Sequence, residues 1–343
     1  MKIESLYTQI DKEIDSLENP EKSIIFLNNT SKKRKNFFIL PRRKALNYKS
    51  VGFFIGNEVI CENVCKYIDG KVKYVLVDTE NKQNFNLFSI AKKNISNSLV
   101  IPFKPNDVTV ESCDLLVRHL LAEDIQGKKV LIFGSGNLAS KVALRLAERE
   151  ATVFIWARNQ EKATTIVDAL NYILPKYNDT KIRLFHQNDQ YNFDLMISFL
   201  SSENIISADF LNYLKQDGTV IDGGINNFSK DFIEVALNNG VSFIRLDTRI
   251  AFHYALMNLN LETFHFFDNV FGTREIEQIR CVAGGILGRN GDVIIDQIKN
   301  PTQVVGIANG LGGVKHECEL TDEERRKIST IREYILQSNK KNL

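Results

Sequence analysis

Apolar positions in the first hundred residues come in short runs separated by amphipathic stretches. Residues 1–20 read as a polar amphipathic helix, and 23–28 and 37–40 as short strands. A β-α-β pattern follows: strand 51–55, helix 58–68 and strand 72–78, then helix 85–95 and strand 98–102, ended by Pro102 and Pro105. Over 109–124, Leu115, Leu116, His119, Leu120 and Ile125 recur at helical spacing. This predicts a connecting helix with His119 packed on its apolar stripe.

Strict alternation takes over after Gly127. Strands are predicted at 129–133, 152–157, 181–186, 194–199, 219–222 and 242–246. The helices between them fall at 137–149, 160–173, 206–215 and 229–239. Near-continuous apolar strands between amphipathic helices imply a parallel sheet covered on both faces. An amphipathic return helix is expected from Arg249 to Phe267, packing on the first domain. Glycine pairs between short β-like runs over 275–316 suggest hairpins. A last helix is capped by Thr321, with Asp322, Glu323 and Glu324 in its first turn.

The chemistry concentrates at Val130–Ser140, which passes from strand through Gly134-Ser135-Gly136 into a helix beginning Asn137-Leu138-Ala139. The first glycine allows the tight turn and the second lets a pyrophosphate approach the backbone. Ala139 takes the small position where helix meets sheet. The free N–H groups at the helix start attract phosphate. A G-x-G-x-x-A in this setting predicts a dinucleotide site of Rossmann type. The next strand ends in Ala157-Arg158-Asn159, with arginine where an NAD site usually has an acidic residue. A guanidinium suits a 2′-phosphate, so NADP is expected over NAD. Ser198-Phe199-Leu200 and Gly223-Gly224, at two later strand ends, are expected to complete the groove.

The chain has 343 residues and a net charge of +2, which gives no electrostatic case for nucleic acid or a membrane surface. The basic runs Ser31–Lys35 and Pro41–Lys44 read as solvated surface loops. No apolar stretch reaches about 18 residues, and Met1–Ser5 does not open a signal peptide. A cytoplasmic location is the expectation. The five cysteines fit neither a disulfide framework nor a metal site, and Cys61 and Cys65 should share a helix face.

These segments resemble the methylenetetrahydrofolate dehydrogenase and shikimate dehydrogenase group, the amino-acid-dehydrogenase-like superfamily. The likeness is clearest over 109–262. Ile125–Val130 with the glycine turn, and Gly218–Asn226, are similar to the folate enzymes. Ala157–Ala163 is more like the shikimate enzymes, whose arginine binds the NADP phosphate. The resemblance implies an α/β domain ahead of the Rossmann domain, substrate in the cleft between them and a returning helix.

The first domain departs from both families. Val100–Lys104 keeps the Pro-x-Lys of the shikimate enzymes' catalytic lysine, yet Asn106-Asp107 follows at once. Tyr67 and Lys71 keep the folate enzymes' Tyr-x-x-x-Lys spacing, but Asp69-Gly70 should break the helix between them.

The expectation is therefore a two-domain α/β protein: a Rossmann-type doubly wound parallel sheet, a smaller N-terminal α/β domain and a C-terminal β-rich extension. The divisions fall at 1–112, 113–248 and 249–343. The expected activity is NADP-dependent oxidation or reduction of a small polar metabolite by a homo-oligomer, without a metal. Lys104 and Asp107 are the candidate proton-moving pair. Arg249, His253 and Tyr254 are candidates for holding substrate, Arg249 by clamping a carboxylate. The competing readings are a non-catalytic NAD(P)-binding regulatory or partner subunit, and a folate-type dehydrogenase/cyclohydrolase.

Overall fold

The structure, a computed structural model, describes residues 3–30, 36–187, 189–259 and 261–341. The basic run 31–35 lies outside the described residues. The chain divides into two compact units, Met1–Ala255 and Leu256–Leu343.

The first unit holds two sheets. The first has strand order β2-β3-β1-β4-β5, from β1 (Ser23–Asn28), β2 (Phe37–Ala45), β3 (Tyr48–Ile55), β4 (Tyr74–Asp78) and β5 (Leu99–Phe103). All its pairings are parallel except β2 with β3. Period-two alternation assigns the faces. Ile25, Leu27, Val51, Phe53, Val75 and Val77 bury one face in a core shared with α1 (Ile3–Asp15), α2 (Glu58–Ile68) and α3 (Leu87–Asn94). Asn57 and Asn86 cap α2 and α3 by accepting from the Ile60 and Ser89 N–H groups. On the opposite face Phe26 meets the rings of Phe103 and Phe252, at 5.0 and 5.1 Å.

The second sheet has six strands in the order β11-β10-β9-β6-β7-β8, every pairing parallel. They are β6 (Lys129–Phe133), β7 (Thr152–Trp156), β8 (Arg183–Leu184), β9 (Phe193–Ser198), β10 (Leu214–Asp222) and β11 (Ser242–Arg245). Val130, Ile132, Val153, Ile155, Leu195 and Ile197 face one core with α4 (Pro105–Leu120), α5 (Asn137–Glu148) and α6 (Gln160–Ile173). Leu131, Phe133, Phe154, Met196 and Val220 face the other, with α7 (Lys230–Asn238). Both faces are covered, as the continuous apolar strands require. The expected Rossmann-type doubly wound sheet is present.

Several local expectations give way to tertiary context. The connecting helix starts at Pro105, whose fixed φ and missing N–H suit the first helical position. It ends at Leu120 because Ala122 and Glu123 adopt positive φ. Its buried side includes Val110, Cys113, Val117 and Asp114, the last gripped by both terminal nitrogens of Arg149 at 2.5 and 2.9 Å. His119 is exposed, so it does not pack on the stripe. The stretch 206–215 is a 3-10 turn, Ala208–Tyr213, running straight into β10. Strand 181–186 is reduced to the two residues of β8. Arg42–Lys44 is strand, not loop. Cys61 and Cys65 are both fully buried, with sulfurs 4.0 Å apart.

The return helix is broken into short pieces: α8 (Phe252–Leu256), a 3-10 turn Met257–Leu259, α9 (Leu261–His265) and a π turn Phe266–Val270. Phe252, at its start, does pack on the first sheet.

The second unit carries a four-stranded sheet of β12 (Gly272–Ile276), β13 (Ile279–Ala283), β14 (Val293–Ile295) and β15 (Val304–Ile307). Its outer pairs are antiparallel, as hairpin signals suggested, but β13 and β14 run parallel. The helix α10 (Asp322–Lys341) covers it through Ile331 and Ile335. Thr321 caps α10 in a reciprocal box, its hydroxyl accepting from the Glu324 N–H while Glu324 accepts from the Thr321 N–H.

Candidate functional site

The carboxyl ends of β6, β7, β9 and β10 bring the glycine turn and three later segments together. Gly134 leaves β6 at φ +127°, and its N–H donates to the Trp156 carbonyl at 2.7 Å. A side chain there would press on the Phe199 carbonyl and on Ala139. Gly136 caps α5 with no side chain, and a Cβ on it would meet nothing within 4 Å. The helix therefore opens its first N–H groups into free space, while Ala139 is fully buried against the sheet. Ser135 and Leu138 are half-buried and Asn137 is exposed. A pyrophosphate fits this cradle, because both the space and the donors are present.

At the end of β7, Ala157 is buried and Arg158 is exposed. Arg158 makes no hydrogen bond or ion pair among the described residues, so its fork is free for an anion. Asn159 is committed to capping α6, accepting from the Lys162 N–H at 2.9 Å.

The loop after β9 is held by a residue that the sequence pattern did not single out. Asn227 is fully buried. Its Oδ1 accepts from the Ser198 hydroxyl and the Leu200 N–H, and its Nδ2 donates to the carbonyls of Leu200 and Ser202. A polar residue four positions past a glycine pair was the only available signal. The glycine pair itself answers to packing. A Cβ on Gly223 would lie 2.4 Å from the Phe199 ring, and one on Gly224 would lie 1.9 Å from Asn227 Oδ1. Asp222, just before them, is buried with one carboxylate oxygen unpartnered. Burial pushes its carboxyl pKa up, against N–H groups of Asn226, Gly224 and Asn227 that favour the charge.

Lys104 and Asp107 do meet, at 3.1 Å, but Asp107 also holds Lys141 of α5 at 2.6 Å. Partial burial raises the Asp107 carboxyl pKa, yet hydrogen bonds from Lys141 and Lys104 outweigh it, and the group lies below its usual value. Lys104 is 59% exposed. A less exposed lysine, Lys82, is held between Asp78 at 3.0 Å and Glu80 at 2.7 Å beyond the carboxyl end of β4.

Tyr67 and Lys71 sit beyond the opposite, amino-terminal end of β4. Both bind Asp11 of α1, Lys71 at 2.7 Å. Gly70, at φ +77°, ends the helix between them as expected.

Arg249 is tied to Asp247, with Nε at 2.7 Å. His253 and Tyr254 contact each other, ring to ring, at 4.4 Å. Beside these, a cavity of about 60 Å³ opens on the face of the first sheet away from α2 and α3. Its walls include Phe26, Asn28, Arg43, Phe103, Thr109 and Thr248. Lys104, Arg249, His253 and Tyr254 do not line it.

The family model for shikimate / quinate 5-dehydrogenase matches residues 116–217. No curated protein matches in sequence. Solved structures with a similar fold include a shikimate dehydrogenase in complex with NADP+, at 16% identity, covering 68% of this chain and 89% of that one, with a TM-score of 0.42. L-tryptophan dehydrogenase from Nostoc punctiforme is 10% identical over 73% of this chain and 76% of that one, with a TM-score of 0.44. Dipicolinate synthase A chain from Bacillus subtilis is 13% identical over 75% and 82%, with a TM-score of 0.38. With TM-scores below 0.5, these likenesses carry no argument about this chain. Residues 116–217 thus match part of the shikimate / quinate 5-dehydrogenase family model, in keeping with the dehydrogenase-type Rossmann domain that the glycine turn and the all-parallel sheet form.

Proposed function

We propose that the protein is an NADP-dependent oxidoreductase acting on a small polar metabolite, as a cytoplasmic homo-oligomer. The observation that carries the cofactor assignment is Arg158. It stands unpaired at the end of β7, one strand from the open glycine cradle on β6. A cation there recognises a 2′-phosphate and offers a ribose hydroxyl little. The N–H groups of α5 would hold the pyrophosphate, and the Ser198–Leu200 and Gly223-Gly224 segments would flank the nicotinamide end. When bound, the nicotinamide supplies the hydride chemistry. The protein's own part is to orient the substrate, exclude water and move one proton.

Lys104 with Asp107 is the proposed proton-moving pair. Its exposure and its place outside the cavity lend some weight to the non-catalytic alternative. Oxidation of NADPH by any of a panel of oxo acids, ketones and imines would exclude that alternative.

The test of the cofactor reading is titration with NADPH and NADH by nicotinamide fluorescence, in wild type and Arg158→Asp. A charge-assisted contact on an exposed arginine contributes about 1.5–2 kcal/mol, or roughly 10- to 30-fold in affinity. Arg158→Asp should therefore lose NADPH binding by at least that factor and keep NADH binding. Equal losses for both cofactors would refute the assignment.

A further inference from the structure

Arg43 is the least explained charge in the first unit. Strand β2 pairs with β3 in regular register as far as Leu40 opposite Gly52, then shifts, so that Arg43 lies opposite Ser50. The shift spans Pro41, which cannot donate to the ladder and is tolerated in a strand at such a bulge. Without it, alternation would send Arg43 to the same face as Ile39, into the core shared with α2 and α3. The bulge places it on the Gly52 face, where it forms a wall of the cavity.

The guanidinium there has five N–H donors and little to bind. One terminal nitrogen donates to the Thr248 hydroxyl at 3.1 Å, and the charge lies 5.2 Å from the centre of the Phe252 ring. It has no ion pair among the described residues. Asp247, the carboxylate whose charge acts on Arg43, is taken by Nε, a terminal nitrogen and the backbone N–H of Arg249. Burial lowers the Arg43 pKa, which marks an incompletely compensated cation. A half-buried charge without an ion partner is costly, and an anion bound beside it would offset that cost.

The surroundings say which ligand. The space, about 60 Å³, takes a group of a few heavy atoms. Asn28 contributes a side-chain amide with no partner among the described residues. Phe26, Phe103 and Val108 supply apolar walls. One planar fork, one amide and apolar walls match a carboxylate on a short carbon chain; a phosphate dianion would call for more cations. The position fits as well. Thr248 follows β11, the neighbour of β10, at the opposite edge of the sheet from β7 and Arg158. Through Thr248 the cavity reaches the β11 side of the second sheet, away from the strand that ends in Arg158.

We propose that this cavity is a ligand subsite in which Arg43, with the Asn28 amide beside it, binds the carboxylate of a short-chain acid, and that the substrate of the enzyme presents such a group there. The assignment of the reaction class rests on the function proposed above; the binding of a carboxylate does not.

The test uses the full chain and thermal unfolding with 50 mM sodium propionate, propionamide, sodium phosphate or sodium chloride at matched ionic strength. Propionate should raise the midpoint by about 2 °C over chloride, and propionamide should not. Arg43→Gln should lose the shift, unfold no earlier than wild type without ligand, and keep its NADPH affinity. If Arg43→Gln does not fold, Arg43→Met replaces it, since its chain follows the arginine stem along Phe252.

Equal shifts with propionate and propionamide, a propionate shift that survives removal of Arg43, or a larger shift with phosphate would each overturn the proposal. Failure of both variants to fold would make Arg43 a structural cation and overturn it too. Loss of NADPH binding with an intact propionate shift would sink the cofactor reading alone, and the reverse result would sink only this one.

Discussion

Asn227 offers the sharpest test of how the proposed cofactor groove is held. Its four hydrogen bonds fix the loop Ser198–Ser202 against the chain after β10, and it is wholly buried. Each bond contributes about 0.5–1.5 kcal/mol net, so the four together contribute about 2–6 kcal/mol. In Asn227→Ala the Ser198 hydroxyl can turn elsewhere and two of the orphaned groups are carbonyls, the better-tolerated kind. The expected loss is therefore about 3 kcal/mol.

Asn227→Asp separates donors from acceptors. It keeps an oxygen for Ser198 and Leu200 but turns a second oxygen on the carbonyls of Leu200 and Ser202. Only the protonated acid can donate to either, so folding raises this carboxyl's pKa. A raised carboxyl pKa means that stability is intact at low pH and is lost as pH climbs from about 3.9 toward the raised value, at about 1.4 kcal/mol per unit. The variant should approach wild type at pH 4.5 and fall several kcal/mol behind at pH 8.

Urea unfolding followed by the single tryptophan, Trp156 on β7, reads this directly, because its ring packs on Phe133 and Phe210 of the same core. Slopes should match wild type, so midpoints can be compared. An Asn227→Ala loss below about 1 kcal/mol, or a gap for Asn227→Asp that ignores pH, would refute the reasoning.

Two further outcomes follow from the site. Lys104→Ala should abolish turnover while leaving NADPH affinity within about twofold, because Asp107 stays paired with Lys141 at 2.6 Å. Steady-state kinetics beside a fluorescence titration checks it, and retained turnover removes Lys104 from the chemistry. Asp194 binds Lys215 at 2.5 Å and the Lys129 N–H at 2.7 Å, tying the starts of β6 and β10. Partial burial raises its carboxyl pKa, but these donors outweigh it and the group lies below 3.8. That stabilisation is complete above 3.8 and is lost as pH falls through the depressed value. Asp194→Asn should melt lower than wild type at pH 7, and the gap should close in acid; a gap unchanged at pH 3 would contradict the account.

What the sequence determined by itself was local and periodic. Continuous apolar strands alternating with capped amphipathic helices specify a parallel sheet covered on both faces, and the near-continuous burial of β6, β7 and β9 leaves little alternative. Gly134, Gly136 and Ala139 are legible because they belong to one local motif: a turn at positive φ, a bare helix start and a small residue against the sheet. Thr321 and Glu324 are legible for the same reason.

The tertiary structure decided what depends on distant partners. Pro105 starts a helix, though its local reading was the end of a strand, and His119 turns outward while Asp114 goes inside to meet Arg149. The return helix fragments after Phe252. Asn227 matters only because the end of β10 lies beside the end of β9. Arg43 reads as one of a run of surface cations until a single extra residue in β2 changes the face it occupies. Period-two alternation cannot foresee that shift, since a bulge inverts every side chain beyond it and only the pairing with β3 reveals where it falls.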